Sequence, residues 1–185
     1  MKPRLNFISA GGMISALAIL CAVAAAACSG TKSSPVTQST DILAIGQRTK
    51  SSGCAGKGGL PDAACTPGAI ISAATTQQIC RTGYSTSVRN VSLAEKDQVY
   101  AEYGIPSHRA GEYEVDHLIP LEVGGSNEIA NLWPQPASPA PGYHEKDRFE
   151  NYLHDQLCSG KLSLAQAQGE AANDWLKYWA AAGEP

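Results

Sequence analysis

The chain has 185 residues, 43% hydrophobic and 17% charged, with a formal net charge of −3. That length suits one domain with a tail, and it is enough for a real core that disulfides supplement rather than replace. No apolar run after residue 27 reaches the roughly 18 residues of a membrane-spanning helix, no repeat recurs at a period of about 20–50 residues, and neither GxGxxG nor GxxxxGK[ST] occurs. Polytopic membrane proteins, solenoids and the common nucleotide-binding classes are therefore set aside.

Lys2 and Arg4 precede an apolar stretch from Ile14 to Ala27, the layout of a secretory signal over residues 1–27. Ala25, Ala26 and Ala27 before Cys28 resemble a bacterial lipobox, in which Cys28 carries lipid and becomes the mature N-terminus; the same alanines also suit ordinary signal cleavage. Cysteine parity separates the two. Cys21 leaves with the signal, and lipid on Cys28 leaves Cys54, Cys65, Cys80 and Cys158, enough for two bridges in an oxidising compartment. A free Cys28 would leave five. The expectation is export to the cell envelope with a membrane anchor at Cys28, plain secretion being the alternative. Losing Lys2 and Arg4 takes the 14 basic residues to 12 against 17 acidic ones, a charge of −5. Such a chain does not read as a general nucleic-acid coat, which needs clustered Lys and Arg.

Residues 28–66 read as a Ser/Thr-rich tether followed by a Gly/Cys-rich segment, with the ordered domain over 67–185. Four cysteines allow three pairings; the short loop bracketed by Cys54 and Cys65 favours Cys54–Cys65 with Cys80–Cys158. Ser92 and Glu95 have the spacing of a capping box and open a helix to about Tyr103, stopped by Gly104 and Pro106. Residues 112–119 alternate and predict a strand. Val123 to Asn127 is a loop signal, and 130–133 predicts a second strand ended by Pro134. A helical period runs from Tyr143 to Cys158, with Phe149, Tyr152, Leu153 and Leu157 on one face, and Gly160 ends it. Ser163 and Gln166 form a second capping box and open a last helix to about Ala182, its apolar surface supplied by Trp175, Leu176, Tyr178 and Trp179.

The segment that carries chemistry is Asp116-His117-Leu118-Ile119-Pro120, then Gly124-Gly125-Ser126-Asn127, then Asn131-Leu132-Trp133-Pro134, then His144 at the start of a helix. An acid–His pair at the end of one strand, an Asn in the next and a His at the start of a helix form a ββα arrangement that can hold one metal ion. This order resembles the HNH (ββα-metal, or His-Me finger) endonucleases over about residues 110–155. The flanking segments, LPDAACTPGA, ICRTGYS, and LCSGKLSLAQAQ, resemble an exported bacterial HNH-like group. The zinc-holding Cys pairs that brace some members are absent.

The resemblance implies an α+β fold with a ββα-metal core and flanking helices, braced here by disulfides. It implies an endonuclease acting on phosphodiester bonds, on DNA before RNA, and low sequence specificity is expected because no helix-turn-helix or zinc-finger reader is visible. His117 matches the general base, Asp116 a carboxylate metal ligand, and Asn131 the residue that braces the loop and orients the base. His144 matches the second metal ligand. The cofactor would be one divalent ion, Mg²⁺ ahead of Mn²⁺ or Zn²⁺. Lys146 and Arg148 beside the helix start either meet phosphate or are solvated residues pairing with Glu145 or Glu150. Bland readings go with the rest. The glycines need only make a turn, the tryptophans pack in the core, and His108 and His154 carry no motif. Glu122 either supports a metal ligand from behind or belongs to the loop. The rival function is a non-catalytic envelope module that binds a partner protein of unknown identity.

Overall fold

The structure, a computed structural model, describes residues 46–185; the expected signal and lipidation site Cys28 lie outside the described residues. These residues belong to one compact unit of α+β class. Its elements are α1 (Thr76–Ile79), α2 (Tyr84–Val88), α3 (Leu93–Glu102), β1 (Tyr113–His117), β2 (Leu132–Pro136), α4 (Tyr143–Cys158) and α5 (Leu164–Ala181). Short 3-10 turns at Leu121–Val123 and Ile129–Asn131 shape the connection between the strands.

The helix starts follow from local chemistry. Ser92 Oγ accepts from the Glu95 N–H while the Glu95 carboxylate accepts from the Ser92 N–H, and Ser163 and Gln166 repeat the exchange at α5. Each box satisfies amide donors that a helix start leaves free. Thr75 and Gln78 make a third box, which opens α1. The helix expected as a single rod to Ala182 is kinked, because Asp174 has non-helical φ and ψ. Its side chain then accepts from the Lys177 N–H, so one residue both breaks α5 and caps its C-terminal turns.

The two strands pair antiparallel, with Asp116 opposite Trp133 and His117 opposite Leu132. The second strand was expected over 130–133 and ended by Pro134. It starts later and runs through two prolines to Pro136. Ala137 donates to Glu112 O, so the odd-numbered residues of β2 face their partners through hydrogen bonds. Pro134 and Pro136 fall on the alternate positions of an edge strand, where no N–H is needed.

The core gathers Ile79, Ile119, Val123, Phe149, Leu153, Leu157, Ala167, Ala171, Trp175 and Trp179. The connection between the strands therefore packs on α4 and α5, and a smaller cluster of Val99, Val115 and Leu132 joins α3 to the sheet. Trp175 is fully buried and donates its indole N–H to Gly59 O, which satisfies the polar end of an otherwise apolar ring.

Ordered structure begins before Pro67. Arg48 pairs with Glu102, Cys54 N donates to Glu102 O, and Thr66 shares a 2.7 Å hydrogen bond with Tyr103. The Gly/Cys-rich segment from residue 46 is thus part of the folded unit. Cys54–Cys65 and Cys80–Cys158 both stand at disulfide distance, with Cα separations of 6.0 and 5.6 Å. The first closes a short loop; the second ties the end of α1 to the end of α4 across 78 positions. Disulfides point to an oxidising environment, and no described helix is long and apolar enough to cross a membrane.

Closing a longer loop removes more freedom from the unfolded chain. Cys80→Ser/Cys158→Ser is therefore expected to lower the unfolding free energy by about 4 kcal/mol, against about 3 kcal/mol for Cys54→Ser/Cys65→Ser. Urea unfolding of the oxidised proteins measures both, and the reverse order would mean that native-state strain outweighs loop closure.

Candidate functional site

The candidate residues meet where β1 ends against the first turns of α4. β1 delivers Asp116 and His117 as its last two residues, and both are buried. Beyond them the chain turns sharply, and two adjacent glycines meet different needs. Gly124 has φ +82°, and a Cβ on Gly125 would lie 1.8 Å from Ile119 O. Only glycine lets the backbone close there.

Asn131 holds this loop. Fully buried, it accepts from Ile119 N at 2.9 Å and Ala69 N at 3.3 Å, and donates to Ile119 O and Ser126 O. These bonds use the full capacity of an amide. Among its hydrogen bonds none goes to the His117 ring, so Asn131 braces the loop but does not touch the imidazole it was expected to orient.

That contact belongs to Asn127, read from sequence only as part of a turn. Its Nδ2 donates to Val88 O at 2.8 Å, and its Oδ1 accepts from Asn90 N at 3.2 Å, which fixes which end is oxygen. His117 Nε2 lies 3.1 Å from that oxygen and must carry the proton, leaving the Nδ1 lone pair free. Burial lowers the His117 pKa below its ordinary value, while the Asp116 charge and the Asn127 bond oppose the shift. The ring is a neutral base of defined tautomer.

Lys146 departs furthest from expectation. It pairs with Glu150 as the helical spacing allowed, but it is neither a surface phosphate contact nor solvated. Its ammonium is fully buried and donates to Asp116 Oδ2 at 2.8 Å, to His117 O at 2.7 Å, and to the Glu150 carboxylate. Burial alone would lower its pKa, but the two carboxylates outweigh burial and raise it. Glu150 is also pushed up, by burial first, with Lys146 opposing and Asp116 adding repulsion. The two carboxylates account for the direction at Lys146, and burial for the direction at Glu150. Asp116 is held on its other side as well, Oδ1 accepting the His117 N–H at 2.7 Å.

The remaining candidates lie at the rim. His144 is exposed, its ring against Tyr143. Arg148 reaches Glu145 at 3.3 Å and Pro185 O at 3.1 Å and lies over the Trp179 ring, so its contacts are intramolecular. Two acids complete the site. Asp147 has its pKa raised by burial and by the charges of Asp116 and Glu122, with Lys146 and His144 opposing. Glu122 keeps a buried Oε2 without a hydrogen-bond partner. The exposed Arg89 bears electrostatically on both His117 and Glu114. Among the described residues, the one group of three His, Cys, Asp or Glu whose ligand atoms lie within 4.8 Å of one another is Cys80, His154 and Cys158. Asp116 and His144 are not joined by a third such ligand. No family model, curated protein or solved structure matches the chain.

Removing one partner of a buried charge cluster costs more than removing a charge it shares. Lys146→Met is expected to lower the unfolding free energy by about 3–5 kcal/mol, because it strands two carboxylates. Glu150→Gln keeps the shape and an acceptor and should cost about 1 kcal/mol. Equal losses in chemical denaturation would show that Glu150 carries as much of the cluster as Lys146.

Proposed function

We propose that the protein is a metal-dependent endonuclease of HNH type, hydrolysing phosphodiester bonds with low sequence specificity, DNA before RNA. The observation that carries this reading is His117, buried at the end of a strand and held by Asn127 as a neutral base next to an acidic cluster. The order Asp116-His117, Gly124-Gly125, Asn131 and the α4 helix supports it, as does the brace that Asn131 supplies.

In this reading a water molecule gives its proton to His117 Nδ1 as its oxygen attacks phosphorus. The bond to the 3′ oxygen breaks, and that oxygen takes a proton from solvent, giving 5′-phosphate and 3′-hydroxyl ends. Asn127 holds the ring so that Nδ1 faces the water. Arg89 takes the phosphate-facing role first considered for Lys146 and Arg148.

The residues fit a hard divalent ion of the Mg²⁺ type, which prefers carboxylate oxygens. Glu122 offers an unpartnered buried oxygen, and the Asp147 pKa is raised by burial first and then by the charge of Asp116. Asp116 and His144 are the proposed ligands, with Asp147 and Glu122 adding acidic character nearby. Such an ion supplies a Lewis acid for the phosphate and the leaving oxygen.

A second reading draws on the Lys146–Asp116 pair. A carboxylate already neutralised by an internal ammonium has less to offer a metal, which favours a non-catalytic envelope module on the same scaffold.

Supercoiled plasmid and RNA incubated with Mg²⁺, Mn²⁺, Zn²⁺ or EDTA distinguish the two. Cleavage should require metal. His117→Ala should reduce it about 10²–10⁴-fold, the usual worth of a general base. Asn127→Ala should lower kcat with KM little changed. Metal-dependent cleavage that survives His117→Ala would sink the mechanism; no cleavage by folded, oxidised protein with any metal would favour the binding module.

A further inference from the structure

The second bridge has a histidine beside it. His154 and Cys158 are four residues apart on α4, so they share a helix face, and Cys80 at the end of α1 meets them there. His154 Nε2 lies 3.5 Å from Cys158 Sγ, while Nδ1 lies 3.9 Å from the Asp155 carboxylate. Nε2 also lies 3.4 Å from the Ile79 carbonyl oxygen, a contact that an ion bound at Nε2 would replace. All three ligand atoms lie within 4.8 Å of one another. Bonds of about 2.3 Å to sulfur and about 2.1 Å to nitrogen around a tetrahedral zinc place those two ligands roughly 3.5 Å apart. The His154–Cys158 pair already has that spacing. Cys54–Cys65 offers a contrast, because both of its cysteines are buried and no such group of three includes them.

We propose that Cys80, His154 and Cys158 form a redox-gated site for a thiophilic ion, Zn²⁺ first, which is closed while the disulfide stands and opens when it is reduced. A phosphine or thiol reductant supplies the two electrons that break the S–S bond, and two protons complete the thiols. With a phosphine, water provides those protons and its oxygen ends on the phosphine oxide; with thiols, the reductant leaves as its own disulfide. Zn²⁺ then displaces the two thiol protons into solvent and takes the neutral imidazole as third ligand. Two thiolates and one imidazole suit zinc and leave a fourth position. Cys158 is exposed and His154 half-buried, so reductant and ion can both reach the site. The bridge and the metal are mutually exclusive ties between α1 and the end of α4.

The test uses the full chain, reduced with a phosphine and titrated with Co²⁺ as a spectroscopic stand-in for Zn²⁺. The reduced protein should bind one equivalent with thiolate-to-metal absorption, which Zn²⁺ displaces. The oxidised protein should show no such band, and neither should reduced Cys80→Ser/Cys158→Ser. His154→Ala should weaken binding at least tenfold, and Cys54→Ser/Cys65→Ser should leave it unchanged. A Co²⁺ ion on the carboxylates near Asp116 gives no thiolate band, so the two sites read out separately. The proposal is overturned if folded reduced protein lacks the band, if the band survives loss of Cys80 and Cys158, or if His154→Ala binds normally. It is also overturned if reduction abolishes the helical circular dichroism and Zn²⁺ does not restore it.

Discussion

The arrangement of the site depends on one buried cation. Lys146 comes from the first turns of α4, yet two of its three acceptors belong to the end of β1, the Asp116 carboxylate and the His117 carbonyl. An isolated ammonium in that position would cost far more than a domain's net stability. The chain tolerates it because three acceptors converge on it. The requirement runs both ways, since the buried Asp116 carboxylate relies on the ammonium, which also holds down the pKa of Glu150 that burial pushes up to about 8. Helix and strand are therefore locked in rotation and in register by charge balance as well as by apolar packing. The orientation of His117, the next residue along, follows from that lock.

The loop after β1 is fixed by a different means. A polar side chain buried with all its bonds satisfied defines a conformation more sharply than apolar contact does. Asn131 does this for the backbone of Ile119, Ser126 and Ala69, and Gly125 permits the close approach that those bonds need. Asn127, four residues earlier, joins the His117 ring to the backbone at the end of α2 and just after it. The two amides divide the work, one shaping the loop and the other setting the ring.

Features that depend on neighbours in sequence were legible. Capping boxes act across three residues, so the starts of α3 and α5 could be read directly, and glycine after an amphipathic run marked the end of α4. The pairing of Cys54 with Cys65 followed from a short loop. What could not be read depends on residues brought from far away. Lys146 and Glu150 have the spacing of an ordinary solvent-facing pair, and only Asp116, 30 positions earlier, turns them into a buried cluster. The periodicity of α4 did contain one missed clue. Tyr143, Lys146, Phe149, Glu150, Leu153 and Leu157 are its buried positions, so His144 falls one step around the helix, on the exposed side. Counting charged residues as solvent-facing hid that the inward stripe included a lysine.

The same buried pair sets the terms on which the two functional readings compete. A carboxylate held by an ammonium at 2.8 Å on one oxygen and by a backbone N–H on the other is rigid, which favours a preorganised ligand. It is also partly neutralised, which weakens its pull on a divalent ion. The charge around it tips the balance. Lys146 is matched by Asp116, while burial pushes the pKa of the second carboxylate it touches, Glu150, up to about 8, and Glu122 and Asp147 bring further acid from the adjoining turn and helix face. The acid beyond the Lys146–Asp116 pair includes Glu122, whose Oε2 is buried without a partner. A site built only to join helix to strand would need one carboxylate for its lysine, and the surplus of acid around His117 is more than that task requires.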